Sequence, residues 1–98
     1  MFNKIKKIID PLIKLYEIEY REIKPQVSYI IDNKIEDMKY IEPVLERLLN
    51  VPYDPCYKLF IKTCDYVSGF NKEIALEYLE IYKDMYGDND IKKLVKGK

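Results

Sequence analysis

YEIEYREIKPQVSYII, residues 16–31, is the stretch on which the fold turns. Read with a period of two, Tyr16-Glu17-Ile18-Glu19-Tyr20-Arg21 alternates apolar and charged side chains as a half-buried strand does. Val27-Ser28-Tyr29-Ile30-Ile31, following Lys24-Pro25-Gln26, then supplies the second arm of a hairpin. Read with the helical period, Tyr16, Tyr20 and Ile23 instead continue an apolar stripe that begins at Ile5, Ile8, Ile9, Leu12 and Leu15, with a break expected at Asp10-Pro11. An isolated hairpin is marginal in water unless helices cover it, and the helical stripe is the longer pattern, so helix is the preferred reading. The expected fold class is all-α: a small antiparallel helical bundle of three to four helices, the number set by how Pro25 is treated. The alternative is an α+β fold with a hairpin at about residues 15–31 packed on helices.

Outward from that stretch the helical signal strengthens. With Val27 at the origin of a helical wheel, Ile31, Ile35, Met38, Ile41, Leu45, Leu48 and Leu49 lie within about 80° of it. Residues 26–50 therefore read as one helix that Pro43 kinks or restarts. Lys34 and Glu42 fall inside this stripe, and the expectation is a snorkelling lysine and a glutamate exposed at the kink. Asp54-Pro55 reads as a cap followed by the first helical residue of a helix over about 55–68, with Phe60, Cys64 and Val67 facing inward and Gly69 as a left-handed stop. Asn71 caps the next helix, with Glu73 in its first turn, and Gly87 closes it. Its apolar face is expected at Ile74, Tyr78, Ile81, Tyr82 and Met85, widened by Leu76, Leu79 and Tyr86. Asp88-Asn89-Asp90 is a turn, and residues 88–98 form a frayed basic tail of a single domain spanning 1–98.

The composition bears on function. The chain has 98 residues, no histidine, no tryptophan, one threonine (Thr63) and two serines (Ser28 and Ser68), so no hydroxyl or thiol nucleophile has an imidazole base to activate it. Gly69, Gly87 and Gly97 are too far apart to form a phosphate-cradling loop. The expectation is a non-enzyme without cofactors. Seventeen basic and seventeen acidic side chains cancel, leaving no overall field to draw in polyanions or anionic lipid. No apolar run approaches the roughly 18 to 20 residues that span a bilayer. The N-terminal segment starts like a signal peptide, but Asp10, Pro11 and Lys14 shorten its apolar region, and it reads as part of a mature cytoplasmic protein. Ala75 is the only alanine in a chain otherwise suited to helices. That scarcity fits an AT-rich genome, including that of a virus or mobile element; few Gln, Ser and Thr beside many Glu and Lys also suits a heat-adapted source.

Four features are weighed as candidates for binding. Cys56 and Cys64, eight residues apart on one helical stripe, are about 12 Å apart along the axis, too far to bridge, and read as core residues. Tyr29 and Tyr40, eleven apart, share an azimuth opposite the core stripe if their helix is continuous, which makes them exposed or covered by another subunit. Glu73, Glu77, Glu80 and Asp84 line one helical edge; like charges so spaced are mutually repulsive and call for basic groups opposite, from Lys4, Lys6 and Lys7, from the C-terminal lysines, or from a partner. As metal ligands these carboxylates, even with Asp88 and Asp90, lack the glycine and closing glutamate of a calcium loop, and no metal site is expected. Lys4, Lys6, Lys7, Lys92, Lys93 and Lys96 are the residues through which a nucleic-acid accessory protein would meet phosphates, although the chain has only Arg21 and Arg47 for base contacts.

The reading that follows is a protein-binding module of the inhibitor, immunity, antitoxin or adaptor type, acting by stoichiometric association through Tyr29, Tyr40, Glu73, Glu77, Glu80 and Asp84. Its partner is another protein or a second copy, with nucleic acid as the contrasting class. In size and helix count the chain resembles the bacteriocin immunity proteins, a likeness carried by no diagnostic motif.

Overall fold

A computed structural model describes the backbone of residues 2–96 and the side chains of residues 11–86. Within those residues there are four helices and no strand: α1 (Phe2–Asp32), α2 (Met38–Leu49), α3 (Asp54–Ser68) and α4 (Lys72–Lys96). The stretch 16–31 is helical throughout, and no hairpin forms. Its helical residues win because they have a core to reach: Ile23, Val27 and Ile30 are fully buried on one side of α1. Neither Pro11 nor Pro25 breaks α1, and Pro43 sits inside α2. All three prolines are exposed, so water can replace the amide donor that each removes.

The break that the 26–50 stripe hides lies at residues 33–37. Lys34 has φ 52°, the left-handed conformation. Its amide donates to the Ile31 carbonyl (3.2 Å), and the next amide, that of Ile35, reaches back to the Ile30 carbonyl (2.9 Å). These two bonds close the C-terminus of α1 in the arrangement usually built on glycine. Ile35 packs back on the core, and Asp37 caps α2 by accepting from the Lys39 amide (3.0 Å). Lys34 is thus an exposed turn residue, and Glu42 is half-buried, accepting from the Tyr78 hydroxyl (3.3 Å).

Three other expected boundaries differ. Tyr53 occupies the cap position of α3 with no side-chain bond, Asp54 is already in the first turn, and there it pairs with Lys58 (3.6 Å). Gly69 is right-handed (φ −68°), because the chain carries on through Phe70 and Asn71 by amide bonds to the Val67 carbonyl. Gly87 does not stop α4, and no turn forms at 88–90; one glycine costs a helix only about 1 kcal/mol. Asn71 does cap α4, accepting from the Ile74 amide (3.3 Å).

Side-chain contacts fix the packing. α2 returns antiparallel to α1, with Tyr40 beside Tyr29 near the turn and Arg47 beside Glu19 and Glu22 further along. α3 lies against both and runs with α1: Tyr53 at its start meets Tyr16 and Tyr20, and Tyr66 near its end donates to the Ile35 carbonyl (2.7 Å). α4 folds back along α3, stacking Tyr82 on Phe60 and tilting it against Tyr57. Ala75, the sole alanine, is buried where α4 meets α3. Phe60, Leu45, Leu48, Ile41 and Val67 sit at the centre, and the buried Thr63 hydroxyl is satisfied by the Leu59 carbonyl (2.7 Å).

Candidate functional site

Ten tyrosines would be too many for this core if each had to lose its hydroxyl's partner, yet all but Tyr29 and Tyr40 are buried or half-buried. So many can pack inward because three of the hydroxyls find acceptors across helices. Tyr66 reaches Ile35, Tyr78 reaches Glu42, and Tyr86 donates to the Leu49 carbonyl at the end of α2 (2.6 Å). The Tyr78 phenol is pushed well above its ordinary pKa by burial and by the nearby Glu42 and Glu46 carboxylates.

Tyr29 and Tyr40 are 52% and 44% exposed, with ring centroids 6.0 Å apart. They come together because the turn at Lys34 folds α2 back on α1; the continuous helix on which they were expected to share an azimuth does not exist. Their seam is closed lower down by Arg47, whose guanidinium donates to Glu19 (2.7 Å) and Glu22 (2.7 Å). Those hydrogen bonds hold the Glu19 carboxyl below its usual pKa, more than offsetting the opposing effect of desolvation, and raise that of Arg47.

On α4, Glu73, Glu77, Glu80 and Asp84 are all exposed. They fall within an arc of about 60° on the side opposite the buried Ala75, Tyr78 and Tyr82. This acidic face is separated from the tyrosine pair. One edge of α2 carries Tyr40 and Arg47 and meets α1; the other carries Glu42 and the Leu49 carbonyl and meets α4. The two halves of the expected docking surface thus lie on opposite flanks of α2.

The sequence pattern misassigned part of α4. Leu76, Ile81 and Met85, expected inward, are 52%, 43% and 50% exposed, because only one side of α4 has a helix against it. Leu76 borders a groove of about 260 Å³ between α3 and α4, floored by Cys64 and Ala75 and walled by Ile61 and Leu79. Ile81 and Met85 lie on the other flank, beside Tyr78, whose hydroxyl reaches Glu42 of α2. Along α1, Leu12, Ile13, Leu15 and Ile18 are also exposed, and several of them line a second groove of about 520 Å³ with Tyr16, Arg47 and Val51. At 31 residues α1 is about 46 Å long, far longer than the 12-residue α2, so its apolar stripe extends beyond the helices able to cover it.

Cys56 and Cys64 are free and buried, as their spacing implied. Burial pushes their thiols up to about 11 and about 12, which leaves them inert as nucleophiles. Among the described residues no group of three or more His, Cys, Asp or Glu side chains could hold a metal ion, and no helix is long and apolar enough to cross a membrane. The side chains of Lys4, Lys6, Lys7, Lys92, Lys93 and Lys96 lie outside the described residues. Neither a known protein family, nor a curated protein, nor a solved structure matches the chain.

Proposed function

We propose that this protein acts without catalysis, by stoichiometric association with another protein in the cytoplasm, and that α4 is its main docking element. The observation that carries this reading is the pairing on one helix of three half-exposed aliphatic side chains, Leu76, Ile81 and Met85, with four exposed carboxylates. Large apolar side chains left exposed on both flanks of one helix, with a row of carboxylates between them, offer an interaction surface, and the charged neighbours keep it soluble and steer the encounter. Covering the exposed half of each aliphatic side chain would stabilise a complex by roughly 1 kcal/mol. Tyr29 and Tyr40, on the far flank of α2, form a separate aromatic contact in this reading. Inhibitor, immunity, antitoxin and adaptor proteins all work in this manner.

The test is co-expression with the products of adjacent genes, followed by purification of any complex of fixed stoichiometry. L76S/I81S/M85S should abolish that complex while leaving the melting temperature of the free protein unchanged within a few degrees, since none of the three belongs to the core. Y29A/Y40A, run in parallel, reports the second contact. A complex that survives the α4 triple substitution at full affinity rules out α4 as the docking element.

A further inference from the structure

Resting on the reading of α4 as a docking face, we infer that the partner presents a basic amphipathic helix, and that this helix lies along the seam between α2 and α4. Three exposed apolar surfaces compete for the role, and the sign of the charge around each separates them. The α1 groove is edged by Glu19 and Arg47 together, and the α3–α4 groove by Asp65 and Lys72. Both are of mixed sign and select no partner by charge. The α2–α4 seam is different. Its apolar strip consists of the half-buried Ile74 and the exposed Ile81 and Met85, which share one flank of α4. Glu77 and Asp84 border that strip on α4. Across the seam, Glu42 and Glu46 border it on α2, both close enough to Tyr78 to raise its phenol. α2 has two cations near this wall: Lys39, three residues before Glu42 on the same edge, and Arg47, whose guanidinium is turned away to Glu19 and Glu22, so the four carboxylates outnumber the single lysine beside the strip.

The strip from Ile74 to Met85 is about 16 Å long, three turns of a helix. A matching ligand therefore has large apolar side chains at i, i+4, i+7 and i+11, to run the length of Ile74, Ile81 and Met85, and Lys or Arg on both shoulders to meet carboxylates on both walls. An acidic or neutral helix would place like or unpaired groups against those walls. A sheet edge would leave the two acidic rows unmatched.

The probe is a synthetic peptide of about 18 residues, leucine at those positions and lysine elsewhere, compared with the same peptide bearing glutamate in place of lysine. Binding to the full chain is followed by methyl NMR, with Ile74, Ile81 and Met85 reporting the seam, Leu76 the α3–α4 groove, and Ile13 and Leu15 the α1 groove. The expected result is saturable shifts at Ile81 and Met85 with the lysine peptide and none with the glutamate peptide. Raising the salt, or introducing E46K/E77K/D84K at three exposed positions, should weaken binding roughly tenfold without lowering the melting temperature. Shifts centred on Ile13, Leu15 or Leu76, equal binding of both peptides, or no binding at millimolar peptide each overturn the inference. So does a concentration-dependent dimer whose dissociation moves the Ile81 and Met85 methyls, because the occupant is then a second copy. With a native complex in hand the two levels separate. Release by I81S/M85S but not by E46K/E77K/D84K discards the basic helix and keeps α4 as docking element; failure of I81S/M85S with L76S to release the partner discards both.

Discussion

Replacing Lys34 with glycine should stabilise the protein, and the size of the gain follows from the turn between α1 and α2. Lys34 is the one described non-glycine residue with positive φ, at 52°, held there by the amide bonds of Lys34 and Ile35 to the last turn of α1. For a residue with a Cβ that conformation costs about 1–2 kcal/mol. Glycine removes the cost but gives the unfolded chain extra freedom, worth about 0.5–1 kcal/mol in the opposite direction. The net gain is about 0.5–1 kcal/mol, or a melting temperature higher by roughly 3–6 °C for a domain of this size. Lys34→Ala is the control: it removes the same exposed charge and stem while keeping the Cβ, so its stability should stay within about 0.5 kcal/mol of the parent. Thermal melts and urea titrations of the three proteins, monitored by circular dichroism, decide the matter. If glycine proves no more stable than alanine here, the strain argument for this turn is wrong.

Three further outcomes follow from other contacts. Arg47→Met should cost only about 0.5–1 kcal/mol at neutral pH, because the three charged side chains are each more than a third exposed and water screens them. Since Arg47 depresses the Glu19 carboxyl below 4.5, the stability it lends is present above that value and is lost as the pH falls through the lower folded value. The variant's acid unfolding curve should accordingly be flatter than the parent's below about pH 4.5, and parallel curves would refute the coupling. Tyr66→Phe removes the bolt to the Ile35 carbonyl and should lower stability by about 0.5–1.5 kcal/mol, with faster amide exchange at Lys34 and Ile35 as the local signature. The native protein at pH 8 should resist a disulfide reagent for as long as it stays folded, and release both thiols on denaturation; rapid native labelling would contradict the burial of Cys56 and Cys64.

The fold class was legible in the sequence because the 3.6-residue period ran unbroken from Leu12 to Ile30, and because Asp54-Pro55 and Asn71 announce the starts of α3 and α4 to within one residue. The helix ends were not. Local rules treat proline and glycine as punctuation, yet Pro11, Pro25, Pro43, Gly69 and Gly87 all lie in or beside continuing right-handed helix, where packing or solvent offsets their cost. The break that does reorganise the chain falls on Lys34, a residue type with no turn signature, and the apolar stripe of residues 26–50 crosses it in phase. The sites were partly legible. Tyr29 and Tyr40 were singled out for a helix that does not exist, and the turn nonetheless sets their rings side by side. The carboxylates of α4 were read correctly as one exposed edge. The exposure of Leu76, Ile81 and Met85 was not readable, since an apolar residue on a helix records what it is able to bury, and only the tertiary arrangement says whether a neighbour is present.

Tyr78 and Tyr86 attach α4 to α2 through directional phenol bonds, one near its beginning and one eight residues on. Two fixed bolts along a rod remove both sliding and rolling, which greasy contacts alone would permit. The solvent-facing positions of α4 are thereby released from any duty to orient the helix. Mutation can rewrite that outer face for a new target while the mounting beneath it keeps its angle, which makes the bundle a chassis for diversification.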